Sequence, residues 1–150
     1  MNRREVFSVL GTGVAAAGVA GTVFGSAGSA SAEEPKARAG GAHAELIKAI
    51  TACMNECNAC GDHCLKMLAG GNKAVAESAR SCMDCAAVCA LTASLVGRGS
   101  PFAAAALKFC AEVCEKCAAV CDKCAAECAQ CNPCAKTCRE CAAECKKAAA

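Results

Sequence analysis

From Cys110 to Cys145 the chain reads CAEVCEKCAAVCDKCAAECAQCNPCAKTCRECAAEC, and every step from one cysteine to the next is three or four residues. That is the recurrence of one face of an α-helix, which turns once in about 3.6 residues. At about 100° per residue, Cys114, Cys117, Cys121, Cys124 and Cys128 all lie within about 40° of Cys110. Six sulfurs would then line one side of one helix. The seam that leucine fills in an ordinary bundle is here filled with thiols.

The same rule governs the rest of the chain. Leu46, Ile50, Cys53, Cys57, Cys60, Cys64 and Met67 form one stripe on a helix predicted over Ala42 to Ala69, and Gly70-Gly71 stops it. Asn72 can cap a second helix that continues to about Val96. Its stripe is Val75, Ser78, Cys82, Cys85, Cys89 and Val96, and Gly97 and Gly99 end it. Ser100-Pro101 combines a capping hydroxyl with a first-turn proline and opens a third helix, predicted to reach about Gln130. Asn132-Pro133 repeats the signal for a fourth helix, which carries Cys134, Cys138, Cys141 and Cys145 and runs to about Lys147. Cys131 is expected at the turn between the last two. No stretch alternates as a strand would. The chain therefore reads as all-α: an antiparallel up-down-up-down four-helix bundle with a cysteine-lined core.

Eighteen cysteines sit in a chain with four Phe, no Trp and no Tyr. Without its thiols the core would be thin, and alanine adds helix propensity but little bulk. Metal binding coupled to folding would supply what hydrocarbon does not. The net charge of +2 is too small to point to nucleic acid or an anionic membrane as partner.

Residues 1–32 read as a targeting segment. Arg3-Arg4 precede an uncharged, glycine-rich run from Val6 to Ala32, and Ala30-Ser31-Ala32 has the small-x-small form of a cleavage site. The arginine pair with a mildly apolar run resembles a twin-arginine export signal. Its glycines argue against a stable spanning helix. The expected location is periplasmic or otherwise extracytoplasmic. Residues 33–41 form a polar linker with Pro35 and two closing glycines, and residues 42–150 form the bundle, in which no membrane span is expected.

Four chemistries suit so many thiols. A disulfide scaffold fits an exported chain, yet such domains are usually small and loop-rich. Cys128, Cys131, Cys134 and Cys138 match the ferredoxin spacing C-x2-C-x2-C-x3-C, but Arg139 stands where proline usually follows. The match also straddles a helix break and leaves fourteen cysteines unexplained. Zinc prefers closed sites of four ligands and would leave negative charge in a low-dielectric core. Cu(I) is selected by soft thiolates. It accepts two or three sulfurs, and cysteines four apart on a helix hold their Cβ atoms roughly 5–6 Å apart. One Cu(I) per thiolate is neutral, which removes most of the cost of burying ionised sulfur. Magnitude favours many Cu(I) ions.

These C-x3-C and C-x2-C steps on four helices resemble the bacterial copper storage proteins, and the likeness covers about Ala42 to Lys147. The resemblance implies a four-helix bundle whose cysteine-lined interior stores many Cu(I) ions, and a homotetramer. The leader resembles that of the exported branch. Two rivals are an iron–sulfur electron carrier and a copper chaperone. Chaperones usually use one exposed exchangeable site, and this chain offers eighteen interior thiols. No serine, histidine and carboxylate grouping suggests an enzyme.

Met54 and Met83 point away from the stripes and read as packing residues. Phe102, Phe109, Val113 and Val120 form a second stripe, suited either to helix packing or to a subunit contact. Leu46, Ile50, Val96 and Leu107, with Phe102 nearby, are expected to plug one end of the bundle. At the other end thiols persist almost to the turns. Met67 continues the first stripe there and His63 lies on its rim, which makes them candidate residues for copper uptake.

Overall fold

The computed structural model describes residues 42–150, so the leader and linker expectations lie outside the described residues. Four helices make up the fold: α1 (Ala42–Ala69), α2 (Ala76–Gly97), α3 (Ala103–Cys124) and α4 (Cys131–Ala149). A single 3-10 turn, Lys73–Val75, leads into α2. No strand occurs among the described residues. Each helix packs on two others, in the ring order α1, α2, α3, α4 and back to α1. With short connections this is the up-down-up-down bundle.

The first two helices end as glycine dictates. Asn72 N–H donates to the Met67 carbonyl at 3.0 Å and Gly71 N–H to that of Leu68 at 2.9 Å. That double closure needs a left-handed residue, and Gly71 has φ of +96°. The end of α2 repeats it. Ser100 N–H reaches the Leu95 carbonyl and Gly99 N–H that of Val96, with Gly99 at φ of +62°. Asn72 caps the 3-10 turn instead of α2, its side chain accepting from Ala74 N–H at 3.1 Å, while Val75 precedes α2 without a side-chain cap bond.

The two proline signals act differently. Ser100 Oγ accepts from Phe102 N–H at 3.3 Å, which closes a turn two residues before α3 begins. At the other reversal α3 stops at Cys124, six residues short of the predicted Gln130. Glu127 N–H and Cys128 N–H both turn back to the Cys124 carbonyl, at 3.0 and 2.9 Å. Cys128 therefore lies in the turn and Cys131 opens α4. Pro133 falls inside the first turn of α4, where its missing N–H costs nothing. Asn132 is no cap: its Nδ2 donates to the Ala129 carbonyl at 3.4 Å.

The core has an uncommon make-up. Beyond cysteine and alanine its buried apolar side chains are Leu46, Ile50, Val75, Leu95, Val96 and Leu107. Val75 sits in the turn at one end, and the other five lie towards the opposite end. Between them the interior is sulfur and methyl. Ala79 and Ala86, Ala111 and Ala118, and Ala135 and Ala142 are buried pairs seven apart, two turns of helix, beside the thiols. Such small residues let the helices approach closely. Phe102, 69 % exposed, does not join the plug at the Leu46 end. The stretch Lys73–Gly97 is long and apolar enough to cross a membrane by length and composition, yet its cysteine face is buried in the bundle.

Candidate metal centre

All eighteen cysteines are buried and unpaired by disulfides. Their sulfurs meet across the axis as well as along the helices. Cys57 Sγ lies 3.5 Å from Cys138 Sγ and 3.8 Å from Cys134 Sγ, joining α1 to α4. Cys53 reaches Cys114 at 3.8 Å and Cys138 at 3.7 Å. From α2, Cys82 lies 3.6 Å from Cys121 and 3.7 Å from Cys134, and Cys85 lies 3.7 Å from Cys114. Cys89 meets Cys110 at 3.8 Å. Along single helices, Cys53 and Cys57, Cys110 and Cys114, and Cys141 and Cys145 are 3.9–4.0 Å apart. At the turn end, Cys60 faces Cys131 and Cys64 faces Cys128, both at 3.8 Å.

These distances are far from the roughly 2.05 Å of a disulfide. With a metal–thiolate bond of about 2.3 Å, three sulfurs around one ion stand about 4.0 Å apart and four in a tetrahedron about 3.8 Å. Spacing alone suits either arrangement, and the groups share ligands. Cys53, Cys57 and Cys138 form a group with Cys85; Cys53 belongs to a second group with Cys89, Cys114 and Cys141. Cys57 and Cys138 recur with Cys117 and Cys134. Cys134 recurs with Cys60, Cys82 and Cys121, and Cys60 again with Cys64 and Cys131. Overlapping groups cannot be separate closed tetrahedra. They form one column in which neighbouring ions share thiolates, the arrangement that two- and three-coordinate Cu(I) permits.

The ferredoxin-like quartet does not converge. Cys128, Cys131, Cys134 and Cys138 face Cys64, Cys60, Cys57 and Cys53 in turn. From Cys131 to Cys138 the helix rises about 10 Å, so the four thiols are spread along the column.

Proton sharing tunes the thiols. Burial pushes Cys64 up to about 11 and raises Cys131 as well. In the middle of the column Cys117 is held down to about 5, because the thiols of Cys121, Cys134, Cys138 and Cys57 can donate to its sulfur. Cys57 is raised in return, mainly by Cys117. A thiolate is thus supported by neighbours that keep their protons, which readies it for a soft cation.

Two buried polar side chains flank the thiols of α2, one at each end. Ser78 Oγ lies 3.2 Å from Cys131 Sγ and 3.6 Å from Cys121 Sγ. Thr92 is fully buried and donates to the Val88 carbonyl at 2.8 Å. Ser78 fell on the predicted stripe as a bare position. Thr92 was missed, although it stands three residues beyond Cys89 and four before Val96. Met67 is half-buried against the core, whereas His63 is exposed. Met54 packs on the core and Met83 does not.

The sequence profile of the copper storage protein family (Csp) matches residues 40–150. The chain belongs to that family. No curated protein matches it. Among solved structures it is similar to the Cu(I)-bound copper storage protein BsCsp3, with 31 % identity and a TM-score of 0.65, over 73 % of this chain and 99 % of that one. It is likewise similar to apo copper storage protein 3 from Bacillus subtilis, at 33 % identity and TM-score 0.65, over 71 % and 98 %. The copper storage protein Ccsp from Streptomyces lividans, solved with 10 copper equivalents, shares 32 % identity at TM-score 0.67, over 77 % and 92 %.

Proposed function

We infer that this chain stores Cu(I), many ions per molecule, on the thiolates of the bundle interior, acting as a store and not as an enzyme. The observation that carries this is the overlap of the cysteine groups into one column. A chaperone's single exchangeable site has no use for it, and a lone cluster or zinc centre would leave most of it idle. The Cu(I)-bound and copper-loaded relatives point the same way. The test is titration of the reduced protein with Cu(I) against a competing chelator. About one ion per cysteine is expected from thiolate softness and charge neutrality. Saturation at about one or two ions would instead make it a chaperone.

Copper is read as entering at the end that carries the α1–α2 and α3–α4 turns. There thiols continue into the turn at Cys128, while Leu46, Ile50, Val96 and Leu107 are buried at the other end. Met67, half-buried against the core, and His63, exposed one turn away, are the candidate uptake ligands of α1 at that end, beside the thiols of the turn.

The chain is further read as exported by a twin-arginine-type signal and as acting outside the cytoplasm. The supporting features are the Arg3-Arg4 pair and the Ala30-Ser31-Ala32 sequence. Export after folding would shield the thiols from oxidation. Fractionation of the source cells, with an Arg3→Lys/Arg4→Lys variant expected to stay inside, tests this. A homotetramer is the oligomer we propose. Phe109 is 53 % exposed beside half-buried Val88 and Val113, in a groove of about 520 Å³ that a second copy could fill. Sedimentation of the bundle and of its Phe109→Asp variant is the check.

A further inference from the structure

The eighteen thiols are not equally enclosed. Cys124 is the most exposed at 6 %, and Cys128 follows at 2 %. Cys124 also lines a cleft of about 110 Å³ between the 3-10 turn and first residues of α2 on one side and the end of α3 on the other. Glu77, Val120, Lys123 and Glu127 form much of the remaining wall, and Ser78 lines it too. Ser78 is 1 % exposed and its hydroxyl reaches inward, to Cys131 at 3.2 Å and Cys121 at 3.6 Å. Cys121 belongs to the group with Cys60, Cys82 and Cys134, and Cys131 to the group with Cys60 and Cys64. Elsewhere at this end side chains lie over the column. Val75 is fully buried, Met67 and Leu68 pack on the core, and Cys64 and Cys128 face each other beneath the α3–α4 turn.

We propose that Cys124 is the first thiol to take Cu(I), reached from the side through the cleft between α2 and α3, and that it passes the ion across Ser78 to Cys121 and Cys131. This rests on the storage reading. The step is a ligand exchange. The bond between copper and its carrier breaks as the Cu–Sγ bond to Cys124 forms, the thiol proton leaves to water, and no electron moves. Two carboxylates against one ammonium on the walls favour a cation's approach. Ser78 suits a crossing better than a stop, because a neutral hydroxyl oxygen is a hard ligand that holds Cu(I) poorly. It adds no trap between the surface thiol and the column.

The experiment follows uptake from the coloured bicinchoninate complex of Cu(I) by the wild-type protein, Cys124→Ser and Met67→Leu. Cys124→Ser is close in size to the wild type and keeps a group able to hydrogen-bond. It is expected to load about tenfold more slowly while its final uptake falls by about one ion. In a second measurement, reduced metal-free protein is treated with limiting N-ethylmaleimide and mapped by peptide mass spectrometry, and Cys124 is expected to react first. A wild-type loading rate in Cys124→Ser, or first labelling at Cys64 or Cys128, overturns the proposal. Slowing in Met67→Leu alone would put the doorway on α1 and overturn it too. Failure of the storage reading looks different: the wild type itself would saturate at about one or two ions, and the doorway would fall with it.

Discussion

Gln130 Nε2 donates a 2.8 Å hydrogen bond to Glu56 Oε1, tying the reversal between α3 and α4 to the middle of α1. The six residues of that reversal contain Cys128, whose sulfur faces Cys64 at 3.8 Å. The bond therefore holds a thiol-bearing turn down on the column.

Gln130→Ala should leave the helices intact and loosen that turn. The expected cost is about 1 kcal/mol, read from urea unfolding of the reduced metal-free protein. Alkylation of Cys128 should quicken at the same time. Unchanged labelling of Cys128 would mean that the turn is held by its backbone bonds to Cys124 alone.

Gly61 offers a gain in stability. It lies inside α1, and a Cβ built there would sit 3.5 Å from Cys82 Cβ and 3.6 Å from Met83 Cγ, ordinary contact distances. Gly61→Ala is expected to stabilise the bundle by about 0.5–1 kcal/mol through helix propensity. A lower unfolding midpoint would show that α1 and α2 need a closer approach there than the distances indicate.

The reduced metal-free bundle should weaken in alkali. Burial pushes the Cys64 thiol up to about 11 from the free-thiol 9.0, and it raises Cys131 in the same direction. Between those values the unfolded chain holds fewer protons than the native one, so stability falls as pH rises. The contribution is complete below the free-thiol value and lost as pH passes through the folded one. Cys117, lowered to about 5, acts in a separate window: its contribution is lost as pH falls towards that value. Urea midpoints at about pH 8 and about pH 11 should differ, with the lower midpoint in alkali.

Ile50→Ala tests the closed end. Ile50 is fully buried among the few bulky side chains of the core. Its truncation should cost about 2–5 kcal/mol and leave the rate of copper loading as it was. Slower loading would place the entrance at that end.

Much of this was legible in the residues. Four stripes on a three-and-four rule specify four helices and the faces they bury, and the glycines after α1 and α2 mark their ends because only left-handed residues close those turns. The end of α3 was not legible, for the same reason that the rest was. Cys124, Cys128 and Cys131 keep helical spacing straight through a turn, since the turn must also bury its thiols. Phe102 was expected in the plug because it is large and apolar, but it lies just ahead of α3, where nothing covers it. The cleft beside Cys124 needs the relative placement of α2 and α3, which spacing along one helix does not contain.

On the entry route proposed above, the bulky side chains at the Leu46 end would give the column a history. A vessel open on one side only is filled and emptied by the same route, so position inside it records order of arrival. Copper taken up first would lie nearest Ile50 and Leu107 and be the last to leave, and the ions by the turns would turn over while the deep ones stayed. Two pulses of different copper isotopes, followed by partial withdrawal with a chelator, would return the second pulse before the first.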